Sequence, residues 1–153
     1  MKKTILLLCG GGGTEHDVSL VSSKYIHKNL SEMGLYNIIK VEIGKDKLFR
    51  KLKKDDSYGE IVTMNFNRQL IGSTTEDIHL VVPCFHGPPG ETGEIQTFCE
   101  LIGLPYIGCG PEASLICFNK VTSKLWFDAL DIPNTPFEFL SSMEDIARAH
   151  LFF

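Results

Sequence analysis

The strongest apolar runs along the chain cover residues 4–9 and 78–84, and each leads into a glycine-rich stretch. A short run that is apolar on both faces and closed by glycine predicts a buried strand of a parallel sheet. After the first run come Gly10-Gly11-Gly12-Gly13-Thr14-Glu15-His16. A 3.6-residue period then predicts a helix over 18–33, stopped by Gly34, with Val18, Val21, Tyr25 and Leu30 turned towards the sheet. Residues 37–43 predict the next strand, which completes a βαβ unit. The polar stretch 44–60 predicts a surface excursion with one short element at 48–52, and residues 61–66 and 69–71 predict a hairpin.

The second run opens onto His86-Gly87-Pro88-Pro89-Gly90-Glu91-Thr92-Gly93, followed by a helix predicted over 94–102 and a short strand over 105–107. If the two strong strands lie parallel in one doubly wound sheet, both glycine loops emerge at the edge where open α/β sheets bind ligands. Beyond Gly108-Cys109-Gly110 the pattern predicts helices over 112–118 and 119–130, a strand at 137–140 and a last helix capped by Ser141 and running through 144. Because about 40 residues seldom close a core, the expectation is a substrate-binding α/β domain over 1–108 and the incomplete opening of a second domain over 109–153.

Bulk composition adds exclusions. With 43% hydrophobic and 22% charged residues the chain is a folding one, and a formal net charge of −4 gives no electrostatic reason to expect nucleic acid. The basic cluster at 45–54 is expected to be a solvated loop. No apolar run approaches the ~20 residues of a membrane span, so no membrane partner is expected. Five cysteines with no C-x-x-C pair indicate neither a disulfide framework nor a zinc site, which points to the cytoplasm.

The candidate chemistry lies in the loops. A strand–glycine–helix junction offers free backbone N–H groups at Gly10 and Gly11 and the positive end of a helix. Glu15 at its mouth would repel a phosphate and attract an ammonium group, or it is a solvated acid in the first helical turn; both readings stand at this point. The third glycine of the dinucleotide pattern is missing in either frame, and no lysine follows as a P-loop requires. His86 is either an anion-orienting group or a loop residue bonded to local backbone. Glu91 is expected to accept from the amides of its own loop, with Gly87, Gly90 and Gly93 shaping the turn. Lys120 and Lys124 share a helix face that is solvated or meets a polyphosphate. Cys9 and Cys84 are small buried apolar residues rather than nucleophiles. An α/β oxidoreductase or transferase domain, and a non-catalytic binding or dimerisation module, are the competing classes.

At these residues the chain resembles the amino-terminal part of the D-alanine-D-alanine ligases, which are ATP-grasp enzymes. Gly10-Gly11, Glu15-His16 and Val18-Ser19-Leu20 resemble that family's first motif, and His86-Gly87, Gly90-Glu91, Gly93 and Gln96 its second. Residues 105–114, Asn119-Lys120 and Lys124 continue the likeness. Gly13, Thr92 and Thr97 depart from it. The resemblance implies a Rossmann-like (pre-ATP-grasp) parallel sheet with helices on both faces, followed by the start of an ATP-grasp central domain. It implies ATP-dependent joining of two D-alanines through an acyl phosphate, for peptidoglycan synthesis, with ATP and Mg2+ as cofactors and a homodimer as the assembly. Glu15 would hold the ammonium of the first D-alanine, His86 would line that subsite, Lys120 would reach the nucleotide phosphates, and Tyr106 with residues 108–110 would mark the passage between domains. The metal ligands are expected beyond residue 153, so a piece of this length is expected to be inactive alone.

Overall fold

The computed structural model describes residues 2–143 and 145. The chain divides into two compact units, Met1–Leu115 and Ile116–Phe153.

The first unit is built on a five-stranded sheet. β1 (Thr4–Gly10), β2 (Asn37–Ile43) and β8 (Leu80–Phe85) form its parallel centre, with β1 between the other two. Every residue of β1 is buried, which is why its sequence is apolar without alternation. Leu6 and Leu8 join the main apolar cluster with Val41, Val81, Ile95 and Cys99. The alternate residues Leu7 and Cys9, both 0% exposed, turn to the opposite face. Helix α1 (His16–Glu32) covers that second face and α2 (Glu94–Leu101) covers the first. Helices on both faces are thus present, but the sheet is mixed. β3 (Phe49–Leu52) and β4 (Tyr58–Ile61) extend it antiparallel from β2. The stretch read as a surface excursion satisfies the backbone groups that β2 would otherwise leave bare at its edge.

The expected hairpin after it is a three-stranded antiparallel sheet of β5 (Thr63–Met64), β6 (Gln69–Ile71) and β7 (Thr75–Asp77). It delivers the buried Leu70 to the main cluster, beside Val62 from the link into β5. The strand expected at 105–107 is a single parallel bridge between Val81 and Tyr106.

Helix α1 corrects the expected orientation. Val18, Val21 and Tyr25 are 51%, 68% and 73% exposed, whereas His16, Ser19 and Ser23 are buried and Leu30 is partly so. Small serines bring the helix axis close to the sheet and place hydroxyls over the strand ends, which larger apolar residues could not do.

The second unit takes its first residues from α3 (Pro111–Phe118) and continues through α4 (Lys120–Ala129), where Asn119 caps by accepting from Thr122 N at 3.2 Å. No strand forms at 137–140, because no ladder partner exists among the described residues. Ser141 donates from its N–H and its hydroxyl to the Asp145 carboxylate, both at 2.9 Å. Of the helix expected from there through residue 144, residues 142 and 143 are not helical and residue 144 lies outside the described residues.

Candidate functional site

β1 and β8 are paired so that Gly10 lies opposite Phe85, and the two glycine loops therefore start side by side. Gly11 has a φ of +97°, and a methyl group there would sit 2.7 Å from the Pro88 carbonyl oxygen. Only glycine lets the loops touch at this point. Gly90 is closed in from the other side, since a methyl on it would meet the Phe85 ring. Gly12 and Gly13 face open space.

The turn is held by α1. The two N–H groups expected to be free are both taken: the Gly10 N–H donates to Ser19 Oγ at 2.7 Å, the same hydroxyl donates to the Cys84 carbonyl, and the Gly11 N–H donates to the Ile43 carbonyl at 2.7 Å. One buried side chain thus ties the end of β1 to the end of β8. His16, also buried, lies between two acceptors: Nδ1 is 2.7 Å from the Gly11 carbonyl oxygen and Nε2 is 3.3 Å from Glu42 Oε1. The Tyr58 hydroxyl donates to that same Glu42 oxygen at 3.0 Å, and this bond raises the pKa of the phenol. Ser19, His16 and Glu42 were not among the sequence-derived site residues. The signal for Ser19 was its place in the Val18-Ser19-Leu20 stretch that resembles the family's first motif, since the helical period had turned Val18 and Val21, not Ser19, towards the sheet.

Glu15 occupies the N-cap position of α1, but its side chain makes no capping bond. Its carboxylate is exposed and reaches over the second loop, with Oε2 3.7 Å from where a Gly87 Cβ would lie. His86, next to that glycine, is partly buried, with Nε2 3.2 Å from Ser22 Oγ on α1. Glu15, His86, Gly10, Gly11 and Gly87 are therefore brought together at one end of the parallel strands.

Glu91 is different from expectation. It is exposed, and the loop is closed by its backbone N–H donating to the Gly87 carbonyl at 3.1 Å and by Gln96 Nε2 donating to the Gly90 carbonyl at 2.7 Å, with no hydrogen bond to the Glu91 carboxylate among the described residues. A glutamate at a loop tip has no buried amides to satisfy, while Gln96, on the inner turn of α2, does have a buried carbonyl to meet. Gly93 takes the left-handed N-cap of α2 against Pro111.

Cys9 and Cys84 are buried at the strand ends, and burial pushes the Cys9 thiol up to about 11 and the Cys84 thiol upward too, so neither is an activated nucleophile. In the second unit Lys120 is exposed, with Nζ donating to the Cys117 carbonyl at 2.7 Å. Lys124 is occupied in binding the following segment, through Asn134 Oδ1 at 2.9 Å and the Thr135 carbonyl at 2.6 Å. Among the described residues no group of His, Cys, Asp and Glu is arranged to hold a metal ion, and no helix is long and apolar enough to cross a membrane.

The mixed α/β domain thus brings Glu15 and His86 to a pair of touching glycine loops at one end of its parallel strands. The family model of the D-ala D-ala ligase N-terminus matches residues 4–109, and the chain belongs to that family. It is 51% identical over 142 residues to a D-alanine--D-alanine ligase of Vibrio cholerae serotype O1, covering 92% of this chain and 41% of that protein. A D-alanine--D-alanine ligase of Tolumonas auensis is 49% identical over 146 residues, with 95% and 42% covered. The crystal structure of D-alanyl-alanine synthetase A from Vibrio cholerae superposes with a TM-score of 0.86 at 48% identity, over 99% of this chain and 45% of that one. The chain thus spans about two fifths of the length of the curated relatives it matches.

Proposed function

We propose that this chain is the first-substrate half of a D-alanine-D-alanine ligase, which joins two D-alanines at the expense of ATP for peptidoglycan synthesis in the cytoplasm. The observation that carries the reading is the unpartnered Glu15 carboxylate reaching across to Gly87 between two touching glycine loops. D-Alanine is a small zwitterion. Its ammonium would pair with Glu15, and His86 would line the same subsite from the second loop. A carboxylate at this junction disfavours the phosphate that most strand–glycine–helix turns hold, which argues against the nucleotide-binding alternative.

The nucleotide and the metal are less well provided for by these residues. Lys120 is the one residue here assigned to the ATP phosphates, and its exposed ammonium would exchange the Cys117 carbonyl for them. ATP would supply the phosphoryl group that activates the first carboxylate. Among the described residues no group of His, Cys, Asp and Glu fits a magnesium ion. The domain division 1–108 and 109–153, and homodimerisation through the first domain, belong to the same reading.

Amide NMR of the chain titrated separately with D-alanine, L-alanine and NADH tests it. Shifts confined to residues 10–16 and 86–93 with D-alanine are expected, and Glu15→Gln should abolish them without moving the denaturation midpoint. NADH shifting those loops while D-alanine does not would replace the ligase reading with a dinucleotide one.

A further inference from the structure

The first glycine loop is closed by a buried side chain that does not reach the half-site. Gly12 and Gly13 face open space, and Glu15, at the N-cap of α1, makes no capping bond. The turn from β1 into α1 is held instead by the ring of His16, whose Nδ1 meets the Gly11 carbonyl at 2.7 Å, while the Gly11 N–H is fixed on the Ile43 carbonyl. The ring and the Glu42 side chain together lie against the backbone of Gly10, where a methyl would stand 3.0 Å from His16 Cε1 and 3.0 Å from Glu42 Cγ. His16 therefore sets the path of the loop from one residue beyond the Glu15 carboxylate.

Both ring nitrogens meet acceptors. A carbonyl oxygen can only accept, so Nδ1 carries hydrogen. A neutral imidazole has a single N–H, which would leave a lone pair on Nε2 facing Glu42 Oε1, 3.3 Å away and buried like the ring. Two lone pairs opposed out of water repel, so the arrangement requires one more proton between Nε2 and Oε1. The neighbouring charges do not remove that need. Lys40, two residues before Glu42 on the same face of β2, is paired with Asp56, and Arg50, opposite Glu42 in β3, is paired with Asp46. The Tyr58 hydroxyl donates to the same Glu42 oxygen at 3.0 Å, and Cys9, opposite Glu42 in β1, has its thiol kept protonated by burial. Glu15 and Asp17, on either side of His16, are exposed.

We propose that His16 and Glu42 are positioning residues of the half-site, holding one proton between Nε2 and Oε1 and, through it, the Gly11 carbonyl and the loop that presents Glu15. The inference rests on the reading of Glu15 as the partner of the substrate ammonium. With the proton in place both ends of the ring are bonded. Once it leaves, Nε2 and Oε1 repel in a buried site, the ring turns, and the Gly11 carbonyl loses its donor. The sign follows: the loop is held at lower pH and released as pH rises. Tyr58 tunes the pair from β4. Its hydroxyl takes up part of the Glu42 charge, so removing it tightens the hold on the proton, whereas removing the carboxylate charge itself weakens that hold.

The test is NMR of the nitrogen-labelled chain without ligand across roughly pH 6 to 10, reading the imidazole nitrogens and the loop amides together. His16 is expected to carry hydrogen on both ring nitrogens at the acid end, and the amides of residues 11–15 should shift with the loss of one of them, at one midpoint. Tyr58→Phe, at a side chain 59% exposed, should raise the proton affinity read from that midpoint about twofold, and Glu42→Gln should lower it about tenfold. The first variant decides alone if the second does not fold. With D-alanine added, affinity should fall about tenfold across the same step and follow the His16 ring, not the His86 ring, in both variants. A His16 ring with one hydrogen throughout, loop amides that do not move with the ring, or a midpoint indifferent to the variants would each overturn the proposal. D-Alanine that shifts no loop amide at any pH would instead count against the ligase reading, and the ring and loop measurements would still decide whether the proton holds the turn.

Discussion

Position 19 is a serine where a helix laid on a sheet would ordinarily offer an apolar residue. Its hydroxyl accepts from the Gly10 N–H and donates to the Cys84 carbonyl, two groups at strand ends where the ladders stop. Ser19→Ala leaves both without that partner in a buried place, and the expected loss is about 1–3 kcal/mol in urea unfolding with an unchanged m-value. A loss much below that would mean that water enters the turn. Cys9 makes a second residue-scale prediction. Burial raises its thiol from 9.0 to about 11, so the folded chain holds this proton more tightly than the unfolded one. The sign follows: the contribution is complete below pH 9 and is lost as pH rises from about 9 to 11. Cys99 is raised in the same direction. Stability measured across that window should therefore fall less steeply for Cys9→Ala than for the parent chain, and identical slopes would show that the thiol does not titrate with unfolding.

Among the elements, β1 was legible in the sequence because a strand buried on both faces has to be apolar throughout, whereas β2 carries the buried Lys40 and Glu42 and was legible only from the isoleucines and valine around them and its place after α1. The rotation of α1 was not. Its stripe of Val18, Val21 and Tyr25 satisfies helical periodicity as well as the His16, Ser19, Ser23 stripe does, and the choice between them is made by contacts with β8 that lie 65 residues away in sequence. The difference is measurable. Val21→Ser should change thermal stability by no more than about 0.5 kcal/mol, while Ser23→Leu, at a position 1% exposed, should cost about 1–3 kcal/mol through overpacking. The reverse order would restore the apolar stripe to the sheet side. Pairing of β3 and β4 was hidden for a related reason: in a lysine-rich stretch the pattern carries almost no strand signal, and the ladder arises from the needs of the edge of β2. In the site, Glu15 and His86 could be read because unusual residue types stood in glycine loops. Glu42 could not, since its role depends on His16 and Tyr58 meeting it from two other elements.

At the scale of the whole molecule the two compact units differ in how much apolar surface they bury. The first closes a continuous cluster from three parallel strands, α2 and the small sheet. In the second, α4 buries only Ser123, while Leu125, Trp126 and Leu130 are 59%, 49% and 59% exposed. Segments with few buried apolar contacts open at low free energy. Trp126 is the single tryptophan of the chain, so its fluorescence reports the second unit alone, whereas far-ultraviolet circular dichroism is dominated by the sheet and helices of the first. Urea unfolding followed by both probes should give two transitions, with the tryptophan signal changing at the lower denaturant concentration. Coincident transitions would mean that the units unfold as one cooperative body, and the exposed side chains of α4 would then have to be stabilised by something other than their own unit. An early tryptophan transition that leaves the D-alanine-induced shifts at residues 10–16 intact would place the first-substrate half-site entirely within the first unit.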